Sequence, residues 1–240
     1  MCVRVAMWSG PRNISTAMMR SWENRSDTVV VDEPFYAHYL VRTGLPHPGR
    51  DEILAVHDAD CDRVVGSLLG PVPAGVRVFY QKHMTHHLLP DMDRTWMESV
   101  VNCFLIRDPR SMVASLHART PNPSIEDTGL PQQRAIFDEV HARTGVVPPV
   151  LDASDVLSDP RGVLGRCCDA VGVEFDESML SWPAGSRDSD GAWAPWWYDS
   201  VEASTGFDAP RSAAVDVPGE LESLVAACHE HYEHLHRHRL

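Results

Sequence analysis

The sequence predicts an α/β fold: a three-layer sandwich in which a central, mostly parallel sheet is flanked by helices. Three observations carry this. Short apolar strands alternate with helical patterns along the chain. Runs such as TVVV (28–31) and VVNCFLI (100–106) are apolar at nearly every position, which marks strands covered on both faces. No repeat, linker or low-complexity tract divides the 240 residues, so one domain over 1–240 is expected.

The elements follow in order. Val3–Trp8 (VRVAMW) reads as a buried strand, broken by Ser9-Gly10-Pro11. Asn13–Asn24 reads as a helix, with Ile14, Met18 and Trp22 on one face. Asp27 turns the chain into the strand Thr28–Val31, which ends at Asp32-Glu33-Pro34. Glu52–Leu69 has a weak helical pattern, and Pro71–Gly75 is a turn. Val76–Tyr80 is a third strand and runs into Gln81-Lys82-His83. Val100–Ile106 ends at Arg107-Asp108-Pro109, and a helix starts near Arg110. Pro131–Arg143 is helical, and Val146–Leu151 supplies the last parallel strand. Pro160 opens a helix to Val171, because a missing N–H costs little in the first turn. Trp182–Trp197 is irregular, and Glu220–His238 forms the final helix.

Net charge is −13, which argues against a nucleic-acid binder, since such a protein needs a basic face. A small basic pocket for one anionic ligand remains compatible with that charge. No apolar run reaches the ~18–20 residues of a membrane span, and the N-terminus lacks a signal-peptide pattern, so a soluble, cytoplasmic protein is expected. Six scattered cysteines form no C-x-x-C pair and read as reduced thiols. His234 and His238 lie four apart, but no cysteine or carboxylate cluster completes a metal site at recognisable spacing, and no metal is expected.

Ligands of parallel sheets collect at the carboxyl ends of the strands. That rule selects Ser9–Thr16, Asp32–Tyr36, Gln81–His87 and Arg107–Ser115. In the first segment Ser9, Gly10, Arg12, Asn13, Ile14, Ser15 and Thr16 join a strand to a helix N-terminus, whose unpaired N–H groups favour an anion. Arg12 adds a fork of donors suited to phosphate or sulfate oxygens, and Ser15 and Thr16 add hydroxyls. The loop is not a Walker A motif, having one glycine and no lysine. In the fourth segment Arg107 ends a strand, and Ser115 follows eight residues later on a helix; both suit a phosphate.

Taken together, the strand–loop–helix with Arg12, Ser15 and Thr16 and the later RDP with Arg107 and Ser115 resemble the PAPS-dependent sulfotransferase family. WSGPRNISTAMMR, DEPFYAHYL, WYDSVEASTGF and the stretch LDASDVLSDPRGVLGRCCDAVGVEFDESML resemble a bacterial-type branch of it. The resemblance implies a P-loop-like fold, PAPS as co-substrate with PAP as product, and no metal. It assigns the first loop to the 5′-phosphosulfate, and Arg107 and Ser115 to the 3′-phosphate. The sequence departs from the family in two places. Arg12 stands where many members have a lysine, and the family's late K-G-x-x-G-x-W segment is absent, with Asp190–Trp193 and Ser204–Phe207 the nearest candidates.

Sulfuryl transfer needs in-line positioning, charge stabilisation at the leaving group and a base for the acceptor proton. Arg12 and the helix N-terminus are the charge candidates. For the base, Glu33 and His83 (or His86) both follow strands, and the resemblance admits either a Glu or a His. Lys82 is a candidate contact for the transferring sulfonate. Phe35, Tyr36, His38 and Tyr39, and Trp193, Trp196, Trp197 and Tyr198, are candidate walls for a small-molecule acceptor. Two other readings are a nucleotide kinase or phosphotransferase, disfavoured by the missing G-K-[ST], and a PAP-binding module without turnover. Oligomeric state stays open.

Overall fold

The computed structural model describes residues 2–209 and 215–240. Five parallel strands form one sheet: β1 (Val3–Ser9), β2 (Thr28–Asp32), β3 (Val78–Met84), β4 (Val101–Ile106) and β5 (Val150–Asp152), in the order β2-β3-β1-β4-β5. The helices are α1 (Ser15–Glu23), α2 (Tyr36–Thr43), α3 (Arg50–Val56), α4 (Cys61–Leu69), α5 (Pro109–His117), α6 (Leu130–Thr144), α7 (Ala153–Ser158), α8 (Pro160–Val171), α9 (Ala194–Trp197), α10 (Asp199–Glu202) and α11 (Glu222–His236).

Side-chain alternation on the strands builds two cores. On one face Val5 and Met7 of β1, Val78 and Tyr80 of β3 and Cys103 and Leu105 of β4 meet Met18 and Trp22 of α1 and Leu164, Cys167 and Cys168 of α8. On the other, Ala6, Trp8, Phe104 and Ile106 meet Leu68 of α4, Ile136 and Phe137 of α6 and Leu235 of α11. The expected three layers are thus present.

Several boundaries move, each for a physical reason. The expected helix over 13–24 starts at Ser15, because Arg12 and Ile14 take φ of 64° and 56° and cannot join an α-helix. The third strand runs to Met84 instead of stopping at Tyr80, since Gln81, Lys82 and His83 are buried and pair with β1. The weak helix over 52–69 is two helices, separated where His57 goes extended and Asp60 caps α4 by accepting from Arg63 N–H. The strand expected over 146–151 pairs only from Val150, while Val146 and Val147 are exposed. Helix α2 follows Glu33 in a stretch for which no helix is expected from the sequence. Among the described residues all six cysteines are unpaired thiols, and no helix is long and apolar enough to cross a membrane. The C-terminal histidines lie on or just past α11, where His234 bonds Asp138 at 2.6 Å.

Candidate functional site

The chain leaves β1 for strands on one side of it, then returns from β3 to β4 on the other side. The carboxyl ends of β1 and β4 therefore flank a switch point of the sheet, the place where α/β folds bind ligands. The β1 loop and the β4 loop interlock there. Arg107 donates through Nη1 to the Arg12 carbonyl at 2.6 Å, and Arg12 donates through Nε to Ser115 Oγ at 3.0 Å. Asn13 donates to the Leu105 carbonyl at 3.3 Å, which fixes the loop to the end of β4. Residues 95 and 103 positions apart in sequence thus share one polar cluster.

The loop backbone is held in a conformation that its residues do not favour. Among the described residues four non-glycines have positive φ, and three of them are Arg12, Ile14 and Glu33. For a β-branched residue such as Ile14 this is a real outlier, costing about 1–3 kcal/mol. Such strain concentrates at binding and catalytic sites. The loop leads into α1, whose N-terminus has no side-chain cap and no acidic residue in its first turn. Its first N–H groups have no intrahelical partner and favour an anion. Gly10 has a different reason to be glycine than close approach to a ligand: a Cβ there would stand 2.3 Å from the Thr128 carbonyl oxygen.

A further cation stands at this cluster. Arg119 follows Ser115 by four residues, and the turn after α5 stays right-handed helical at Ala118, so both lie on one helical face. Burial and then the Arg119 charge lower the Arg12 pKa from its ordinary value. The positive potential of two nearby guanidinium groups favours an anion.

The second cluster lies at the ends of β2 and β3. Lys82 is 1% exposed and donates all three ammonium protons inside the protein: to Asp32 Oδ1 at 2.7 Å, Glu33 Oε1 at 2.6 Å and Tyr198 OH at 2.8 Å. Tyr198 donates to Asp32 Oδ2 at 2.6 Å and accepts from Trp193 Nε1 at 3.0 Å. Burial works against the ammonium, but Asp32, Glu33 and Tyr198 outweigh it and hold the Lys82 pKa well above its ordinary value. Glu33 is pushed up to about 7, chiefly by burial, with Lys82 opposing and the Asp32 charge adding to the rise. Its side chain is 11% exposed, and Lys82 takes only one oxygen; the other, Oε2, lies 3.8 Å from His87 Nδ1.

The structure separates the other candidates. Lys82 and His83 are neighbours on a strand and point to opposite faces. His83 is buried between Trp8, at 4.4 Å, and Phe35, at 5.6 Å between ring centroids, and burial lowers its pKa to about 3. It sits in the apolar core, where Trp96 also packs on it at 5.6 Å. Phe35 packs in that same core rather than lining a wall. His38 bonds the Ala59 carbonyl. Tyr36 and Tyr39 stack on His87 at 4.6 and 4.8 Å, and Tyr39 meets His86 edge-on at 5.4 Å, giving an aromatic wall next to Glu33. Trp193 is buried against Tyr36, and Trp196 covers Gly49. The segment carrying Trp193 and Tyr198 is anchored by Asp190, which accepts from buried Arg20 of α1 at 2.7 Å and from the Arg187 backbone N–H at 2.8 Å.

Sequence reasoning missed Arg119 and the bonds that Asp32 and Tyr198 make with Lys82. Asp32 adjoins Glu33, Tyr198 lay in a stretch read as aromatic wall, and Arg119 carried one signal, its four-residue spacing from Ser115.

A family model for the sulfotransferase domain matches residues 3–238. The chain belongs to the sulfotransferase domain family. Two curated relatives from Arabidopsis thaliana are similar: branched-chain-amino-acid aminotransferase-like protein 1, 38% identical over 85% of this chain and 36% of that protein, and branched-chain-amino-acid aminotransferase-like protein 2, 34% identical over 92% of this chain and 39% of that protein. The chain thus spans well under half the length of these relatives. Among solved structures, the sulfotransferase domain of the Synechococcus PCC 7002 olefin synthase superposes with a TM-score of 0.59 at 17% identity, over 97% of this chain and 95% of that one. The sulfotransferase domain of the curacin biosynthetic pathway gives 0.57 at 14%, over 97% and 98%. A sulfotransferase from Alicyclobacillus acidocaldarius gives 0.55 at 13%, over 99% and 95%. At these identities the solved structures establish the fold, a P-loop-like α/β sandwich.

Proposed function

We propose that this sulfotransferase domain moves a sulfuryl group from PAPS to a hydroxyl or amine of a small-molecule acceptor. The observation that carries the reading is the meeting of Arg12, Arg107 and Ser115 at the switch point, two strand ends from the base candidate Glu33. A basic cluster with a strained loop and an uncapped helix N-terminus suits a nucleotide bearing phosphates at two ends. When bound, the donor supplies an activated sulfuryl group on a phosphate leaving group. Arg12 and the first N–H groups of α1 would neutralise charge at the 5′ end, and Arg107 and Ser115 would hold the 3′-phosphate.

Glu33 is the residue we assign to the acceptor proton. Its Oε2 faces the aromatic wall, and a carboxyl poised near neutrality is suited to a base's task. Lys82 then acts through Glu33 rather than on the sulfonate, because its three protons are committed. His83, buried against Trp8 and Phe35, is the weaker base.

The test is PAP release from PAPS in the presence of an acceptor panel, followed with mass detection of the sulfated product. Arg12→Ala is expected to lower the rate by roughly 10²–10³, the loss seen when one donor to a developing anion is removed. Unchanged turnover in that variant would mean that another group faces the leaving phosphate. PAP binding without product across a broad panel would favour a binding module instead.

A further inference from the structure

The late family segment that would complete the 3′-phosphate site is missing from this chain, yet the fold presents a substitute. Arg119 lies one helical turn beyond Ser115, near enough to Arg12 for the two charges to act on each other, while Arg12 bonds Ser115 and Arg107 bonds the Arg12 carbonyl. Its partner is Asp199, at 3.4 Å, on the short helix α10. Both side chains are open to solvent, 39% and 69% exposed, so the pair holds weakly. The exposed pairs of Arg42, Arg63 and Arg110 with Asp91, Asp58 and Glu222 close at 2.6–2.7 Å, and that of Arg239 with Asp155 is as open as this one, at 3.3 Å. Arg119 is therefore a guanidinium in reserve, facing an anion site and lightly occupied by a carboxylate.

We propose that Arg119 is a donor-binding residue that completes the 3′-phosphate site with Arg107 and Ser115, and that Asp199 occupies it until a nucleotide displaces it. This rests on the PAPS reading above. A phosphate monoester carries more charge than a carboxylate and offers three oxygens to a planar fork, so exchange of Asp199 for phosphate is favourable. The residue before Asp199 is Tyr198, which bonds Asp32 and Lys82 next to Glu33. The residue released by nucleotide is thus the chain neighbour of one that braces the base.

Calorimetric titration of the full chain with PAP and with AMP, which lacks the 3′-phosphate, separates the possibilities. For Arg119→Ala the preference for PAP over AMP is expected to fall about tenfold, with AMP affinity unchanged, since one charged contact corresponds to roughly a factor of ten. Arg119→Lys should recover part of it. Asp199→Asn should tighten PAP a few-fold, because the competing carboxylate is gone. A wild-type preference for PAP that survives Arg119→Ala intact would overturn the assignment of Arg119. PAP binding unchanged in Asp199→Asn would overturn the exchange. A wild-type protein that binds PAP and AMP equally would instead sink the donor reading on which the proposal rests. Arg119 is a surface side chain, so its removal leaves the fold in place.

Discussion

Glu33→Gln is expected to abolish turnover while leaving nucleotide binding intact. Glutamine keeps the shape and still accepts from Lys82, but it cannot take a proton. The loss should be about 10²–10⁴-fold, the usual worth of a positioned general base. The pH dependence is the sharper readout. The Glu33 carboxyl is raised from 4.5 to about 7, so the ionised base is scarce below neutrality. Wild-type kcat/KM should climb about tenfold per pH unit below pH ~7 and level off above it, and the residual rate of Glu33→Gln should lack that limb. Wild-type activity independent of pH between 5 and 8, or a variant retaining the limb, would remove Glu33 from the role. His83 would not reproduce the limb, since burial places its titration near 3.

Lys82→Met is expected to cost about 3–5 kcal/mol of folding stability, the penalty for leaving buried charge uncompensated. Removing the ammonium strands Asp32 and Glu33 side by side with 1% and 11% of their side chains exposed. The sign of the pH dependence follows from linkage. A buried carboxyl with a raised pKa binds more protons folded than unfolded, so it destabilises the fold as pH rises from its ordinary value toward the raised one. Glu33 already does this between pH 4.5 and about 7 in the wild type. Without Lys82 the shift grows, so the variant's deficit should be smallest near pH 5 and largest near pH 8. Denaturant unfolding at both pH values checks it. A variant that folds with wild-type stability at pH 8 and yet loses transfer would return Lys82 to the sulfonate contact.

The fold was legible where apolar pattern decides structure. β1 and β4 are buried on both faces, and β2, half-buried at the sheet edge rather than covered on both faces, still carries a β-branched run, so their residues read as strands without tertiary knowledge. β3 was cut short because Gln81, Lys82 and His83 look like loop, and only partners far in sequence make their burial tolerable. Lys82 finds its partners 50 and 116 residues away. The strained turn at Arg12 and Ile14 carries no local signal, since neither residue favours positive φ; the β4 contacts to Arg12 and Asn13 impose it. For the site, strand ends and spacing picked out the first loop and Arg107 with Ser115, and the resemblance to the sulfotransferase family paired them. The choice between Glu33 and His83 was not, because strand alternation turns on where β3 ends. Arg119 stayed hidden for another reason: an exposed arginine after a helix is ordinary until a neighbouring loop brings Arg12 beside it.

The proposed nucleotide site reads phosphates at both ends. Calorimetry of the wild-type chain with PAP, ADP and AMP tests it most directly. PAP should bind at least about tenfold more tightly than AMP or ADP, because Arg107 and Ser115 engage a group that only PAP has. Equal affinities for the three nucleotides, or a preference for ADP, would contradict the account.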